Sequence, residues 1–140
     1  MNYIHLIKFV MAINIKTSGI HHIALRCKDM NRSKKFYSDV LGFDILLDTP
    51  HLFGMMIGSN FIGFMEATAQ EGDEAVFSPF RIGMDHLAMA CEDEEELHRV
   101  AKALTEAGVE NTGVKKDATL NKDYVAFKDP DRIQWELYMV

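Results

Sequence analysis

Gly19 to Asp29 reads GIHHIALRCKD, and Gly83 to Asp93 reads GMDHLAMACED. Laid together without a gap, the two stretches share Gly, His, Ala, Cys and Asp, and the other positions mostly exchange like for like. Each alternates apolar residues over the length of one strand. The chain therefore writes the same strand twice, each time with a histidine at the fourth place.

The repeat continues past these strands. After Asp29, MNRSKKFYSDVLGF puts Met30, Phe36, Tyr37, Val40 and Leu41 on one helical face, with Asp29 as N-cap and Gly42 at the helix end. After Asp93, EEELHRVAKALTEAGV does the same with Leu97, Val100, Ala101 and Leu104, and Gly108 closes it. Three glutamates in its first turn suit the positive end of the helix dipole. Both halves then run into β-rich sequence, HLFGMMIG and NFIGFMEA in the first, YVAFKD and IQWELYM in the second. Each half reads strand, helix, then two or three strands, which predicts one α+β domain over 18–140 made of two modules, 18–67 and 81–140. The polar segment TAQEGDEAVFSPF, 68–80, joins them.

Strand parity places the side chains, because alternate residues face opposite sides. Ile23, Leu25 and Cys27 should lie on the helix, and His22, Ala24 and Arg26 on the open face. The second copy splits likewise, with Leu87, Met89 and Cys91 against His86, Ala88 and Ala90. On the last strand Ile133, Trp135, Leu137 and Met139 form one stripe, and Gln134, Glu136 and Tyr138 the other. His22, His86 and Glu136 thus share the open face, among small neighbours that leave room for a ligand. Two imidazoles and one carboxylate suit a divalent cation with open coordination positions. A closed structural site would use four protein ligands, usually with cysteine. Cys27 and Cys91 fall on the helix side, read as small buried hydrophobes, and make no disulfide framework, which fits a reducing compartment.

The 140 residues are 48% hydrophobic, enough for one core or two small cores that share an interface. A net charge of −6 without a basic stripe argues against nucleic-acid binding. Residues 1–17 read as an N-terminal extension. Its apolar start, MNYIHLIKFVMAINI, is interrupted by His5 and Lys8 and falls short of the roughly 18–20 apolar residues of a membrane span. It has neither a basic leader nor a small-residue cleavage site, so a cytoplasmic protein with no membrane partner is expected. Either translation starts at Met11, or the extension forms an extra strand or dimer contact.

The strings HHIALRCKDMNRSKKFYSDVLGF, GMDHLAMACED and VAFKDPDRIQWELYM resemble the vicinal oxygen chelate superfamily over about residues 18–140. That group includes glyoxalase I, fosfomycin-resistance proteins, methylmalonyl-CoA epimerase, extradiol dioxygenases and bleomycin-binding proteins. The resemblance implies two tandem βαβββ modules that form a cupped mixed sheet with helices on its outer face. It implies one divalent ion (Zn, Ni, Co, Mn or Fe) on His22, His86 and Glu136; His21 has the wrong parity. Glyoxalase I and the epimerase take a fourth ligand from the last strand of the first module, where this chain has Gly63. Glu66 would reach the open face only through a register shift at Gly63. The family's DPDG turn reads DPDR here, with Arg132 in the glycine place.

Members of that family chelate a substrate with two adjacent oxygens, and the ion stabilises an oxyanion or enediolate as it forms. The resemblance implies a small-molecule substrate and isomerase or lyase chemistry of the glyoxalase type; Glu136 is a catalytic candidate there, either as base or, in a three-ligand site, as ligand only. Ring-cleaving oxygenation at Fe(II) is the alternative. Tyr138, of the same parity as Glu136, and Tyr124, one strand earlier, are the further catalytic candidates. Arg26, Arg81 and Lys122 are candidates to hold an anionic group of the substrate. A metal-free sequestering module of the bleomycin-resistance kind is the third reading. A homodimer is expected, since two-fold pairing is the commonest assembly, and the sequence leaves open whether one chain or a swapped pair completes each site.

Overall fold

The computed structural model describes residues 12–69 and 76–140. Residues 1–11, where the alternative start would fall, and 70–75 of the connector lie outside the described residues. The elements run β1 (His22–Cys27), α1 (Met30–Lys35), β2 (Ile45–Asp48), β3 (Phe53–Ile57) and β4 (Asn60–Glu66). They continue with β5 (Leu87–Cys91), α2 (Glu94–Glu106), β6 (Asn111–Asp117), β7 (Lys122–Lys128) and β8 (Gln134–Met139). Two βαβββ modules result, as the repeat and the resemblance imply.

Each module builds one four-stranded mixed sheet, in the orders β1-β4-β3-β2 and β5-β8-β7-β6. The first strand of each module pairs in parallel with the last, and the other pairs are antiparallel. Both strands that carry the repeated histidines, or lead directly from them, are therefore sheet edges.

The caps follow the sequence reading. Asp29 accepts from Arg32 N at 2.9 Å and Asp93 from Glu95 N at 2.9 Å, while Gly42 and Gly108 take positive φ beyond the helix ends. The first helix differs from its expected course. After Lys35 it widens into a π-helical turn, Phe36–Val40, in which Leu41 N donates to Phe36 O at 3.0 Å. Phe36 and Tyr37 are both buried there.

Leu25, Cys27, Phe64, Cys91, Leu97, Phe127 and Trp135 belong to one buried cluster. The helix-facing sides of both sheets thus close on a shared core, and the open sides face away from it. A polar seam crosses this core. Tyr37 donates to Asp129 at 2.7 Å and accepts from Trp135 Nε1 at 2.9 Å. Asp131, also buried, accepts from the Lys28 N–H at 3.0 Å and pairs with Arg32. Arg132 keeps the turn by adopting φ +66, and its guanidinium pairs with Glu110 at 2.9 Å.

Candidate metal centre

His86 stands immediately before β5, and Glu136 lies on β8 with Ala88 as its register partner. Both face the open side, and His86 Nε2 approaches Glu136 Oε2 at 3.3 Å. On the far edge of the imidazole, Nδ1 lies 2.6 Å from Asp85 Oδ1. With Nδ1–H donated to Asp85, the Nε2 lone pair points at the carboxylate, the orientation a metal-binding histidine receives from an acceptor behind it. Asp85 was not evident from strand parity; its signal is its place directly before the histidine.

Glu136 is buried, 8% exposed, which distinguishes it from a surface carboxylate. Burial pushes its carboxyl above the ordinary range; Asp85 and Asp117 push the same way, and His86 opposes them. A buried carboxylate whose ionised form lacks full compensation, facing a histidine nitrogen, is a donor set that a divalent cation satisfies.

His86, Ala88, Asp117, Tyr124, Glu136 and Tyr138 line an open cavity of about 530 Å³. Tyr124 and Tyr138 stack with ring centres 5.9 Å apart. Tyr138 donates to Asp117 Oδ2 at 2.7 Å. That bond pushes the phenol up to about 12 and holds the Asp117 carboxyl below its usual range. Asp117, on β6, has no signal in the sequence, since only the fold brings it across from Tyr138.

His22 opens β1 on the other module, exposed, with Nδ1 2.9 Å from His21 Nδ1. His21 precedes His22 as Asp85 precedes His86, so in both copies the preceding side chain engages Nδ1 rather than Nε2. His22 does not join the His86–Glu136 pair within the chain. Among the described residues no group of three His, Cys, Asp or Glu stands close enough to hold a metal. The shared core explains this, since the open faces of the two sheets are turned outward.

The other candidates are placed as follows. Arg26 is exposed, and its Nη1 donates to the Glu66 carbonyl at 2.9 Å. Arg81 is exposed at the start of the second module, ahead of β5, and Lys122 donates to the Val140 main-chain oxygen at 2.7 Å. None of the three lines the cavity beside Glu136.

Register settles what occupies the fourth-ligand place. Gly63 pairs with Ala24 as Glu136 pairs with Ala88. Pairing of β4 runs unbroken through Gly63 on both sides, and Glu66 pairs with Cys27, so no shift turns Glu66 inward.

The model of the Glyoxalase/Bleomycin resistance protein/Dioxygenase superfamily matches residues 19–137. The chain is 28% identical over 126 residues to the protein YwkD of Bacillus subtilis (strain 168), covering 86% of this chain and 95% of that one. It is 26% identical over 129 residues to MhqA of the same organism, named as a candidate ring-cleaving dioxygenase, covering 82% of this chain and 38% of MhqA. Among solved structures, a glyoxalase family protein from Enterococcus faecalis superposes with a TM-score of 0.70 at 27% identity, over 86% of this chain and 97% of that one.

Proposed function

We propose, from the premise that the chain belongs to the Glyoxalase/Bleomycin resistance protein/Dioxygenase superfamily, that it is a divalent-metal-dependent enzyme acting on a small substrate with two adjacent oxygens. The observation that carries this reading is the His86–Glu136 pair at 3.3 Å, with Asp85 fixed behind the imidazole. His86 and Glu136 of one chain, with His22 of a second copy, would hold the cation. The edge positions of β1 and β5 and the outward-facing half-sites support completion by a second copy. A cation held there supplies Lewis acidity to the adjacent oxygens and stabilises the negative charge that develops on them.

The chain's own groups divide the remaining work. Asp85 fixes the tautomer and direction of His86. Glu136 is also the carboxylate within reach of the cation position to take a proton from a substrate carbon in isomerase or lyase chemistry. Tyr138, pushed up to about 12 by its bond to Asp117, removes no proton near neutrality; with its one O–H given to Asp117, its oxygen is left to accept a hydrogen bond. Asp117 holds that phenol in place.

A second reading, oxygenation at Fe(II), is favoured by one observation. Gly63 offers no second carboxylate, so two histidines and Glu136 would leave three coordination positions open, enough for both substrate oxygens and dioxygen.

Elemental analysis tests the proposal. Protein reconstituted with Zn, Ni, Co, Mn or Fe should hold one ion per chain, and His86→Ala and Glu136→Ala should weaken binding by roughly 100-fold or more, beyond the range of outer-shell changes. Iron that supports oxygen uptake would select the second reading; zinc, nickel or cobalt activity without oxygen would select the first. Wild-type protein that takes up no ion would overturn both and leave a sequestering module.

A further inference from the structure

The open face of the first module carries a feature that metal binding does not require. Gly54 on β3 and Gly63 on β4 are register partners, and the Phe61 ring lies across both. A Cβ at Gly54 would sit 2.1 Å from Phe61 Cζ and 2.6 Å from Cε2, and one at Gly63 would sit 3.2 Å from Cε1. Neither glycine takes positive φ, so backbone conformation does not call for them. Glycine inside a strand weakens it and marks a close approach; here the approaching group is the Phe61 ring.

The ring's position is specific. Phe61 is the register partner of His22, and parallel partners share a face. The equivalent place on β8 is Gln134, beside the Glu136 ligand position. The outer atoms of the Phe61 ring lie over the two glycines, and Phe61 is only half-buried. Leu52, whose Cδ1 would lie 3.1 Å from a Cβ at Gly63, extends the apolar floor, and Met56, the β3 partner of Phe61, is 38% exposed beside it. Methionine packs readily against ring edges.

We infer that Phe61 is a specificity-determining residue, a stacking floor next to His22 that selects substrates whose adjacent oxygens are carried on, or next to, a flat apolar ring. The inference rests on the metal reading above and holds for either chemistry proposed there. A ring on the substrate would stack offset on Phe61 while its two oxygens point to the cation position. Long polar substrates gain nothing from this floor, and an anionic group placed over it would lose water without a partner.

The test uses two chelating probes, 4-nitrocatechol, which has a ring, and acetohydroxamate, which has none. Binding of each to full-length protein is measured by calorimetry with zinc and again after EDTA treatment. Phe61→Leu should weaken 4-nitrocatechol roughly five- to tenfold, the range of one aromatic contact, and leave acetohydroxamate within about twofold. Gly54→Ala, which lifts the ring without altering it, should weaken 4-nitrocatechol in the same direction. Unchanged 4-nitrocatechol binding in Phe61→Leu overturns the inference. The two readings separate cleanly: binding that needs Phe61 but ignores EDTA defeats the metal reading alone, and binding that needs zinc but ignores Phe61 defeats the floor alone.

Discussion

In the first module Gly63 stands beside Ala24 under an aromatic ring, and in the second Glu136 stands beside Ala88 at 3.3 Å from a histidine. The strand order, the parallel pairing and the capped helix starts are the same in both. Duplication has kept the scaffold and let the open faces diverge, one to hold charge and the other to hold apolar surface. The helix side has diverged too. Ser33 and Tyr37 of the first module reach the β7–β8 turn, whereas the equivalent places in α2 are the apolar Leu97 and Ala101. The shared apolar core is therefore crossed by a polar seam that runs from the first module's helix to the second module's last turn.

Removing that seam should have the largest effect on stability. Tyr37→Phe leaves the buried Asp129 and the Trp135 N–H each short of a partner, which should cost roughly 2–4 kcal/mol and lower Tm by about 5–12 °C in a thermal melt. The seam also sets a pH dependence. Burial raises the Asp129 carboxyl above its ordinary range, so the folded chain keeps that proton to higher pH than the unfolded chain does. Stability from this group should fall as pH rises from the ordinary carboxylate range through the folded pKa and then level off. Melts at stepped pH should show that slope in the wild type and its absence in Asp129→Asn.

A smaller effect separates the two Nδ1 partners. Asp85→Asn should weaken metal binding about 10–100-fold, as outer-shell changes do, while His21→Ala should sit at or below the low end of that range, because an imidazole polarises His22 less than a carboxylate polarises His86. Equal losses in a metal titration would mean that the two histidines are oriented alike despite their different partners. The smallest effect concerns the last turn. Arg132→Gly relieves a left-handed residue, worth about 1–2 kcal/mol, and forfeits an exposed ion pair worth about 0–1 kcal/mol. Tm should move by only a few degrees, upward.

Much of the architecture was legible because the signals are local. The alternation in GIHHIALRC and GMDHLAMAC, the Asp caps and the closing glycines each act within a few residues, and parity correctly put His86 and Glu136 on one face. The Gly63 substitution was legible for the same reason. What escaped depends on packing across strands. Phe61 on Gly54 and Gly63 requires the β3–β4 register, and Asp117 under Tyr138 requires β6 to be laid across the sheet from β8. The π-helical turn at Phe36–Val40 escaped because the same residues satisfy an α-helical period; it is accompanied by the long-range bonds of Tyr37. His22 matched the repeat but stands apart from the His86–Glu136 pair, since parity fixes a face and says nothing of where that face points.

The central claim, that one cation joins the His86–Glu136 pair of one chain to His22 of another, is tested most directly by a mixed dimer. His22→Ala and Glu136→Ala chains, co-expressed with different tags and purified as the mixed species, each lack a ligand on their own. The account predicts that the mixed dimer regains one tightly bound ion per pair, because one chain supplies His86 with Glu136 and the other supplies His22. A mixed dimer that binds no more metal than either variant alone would contradict it.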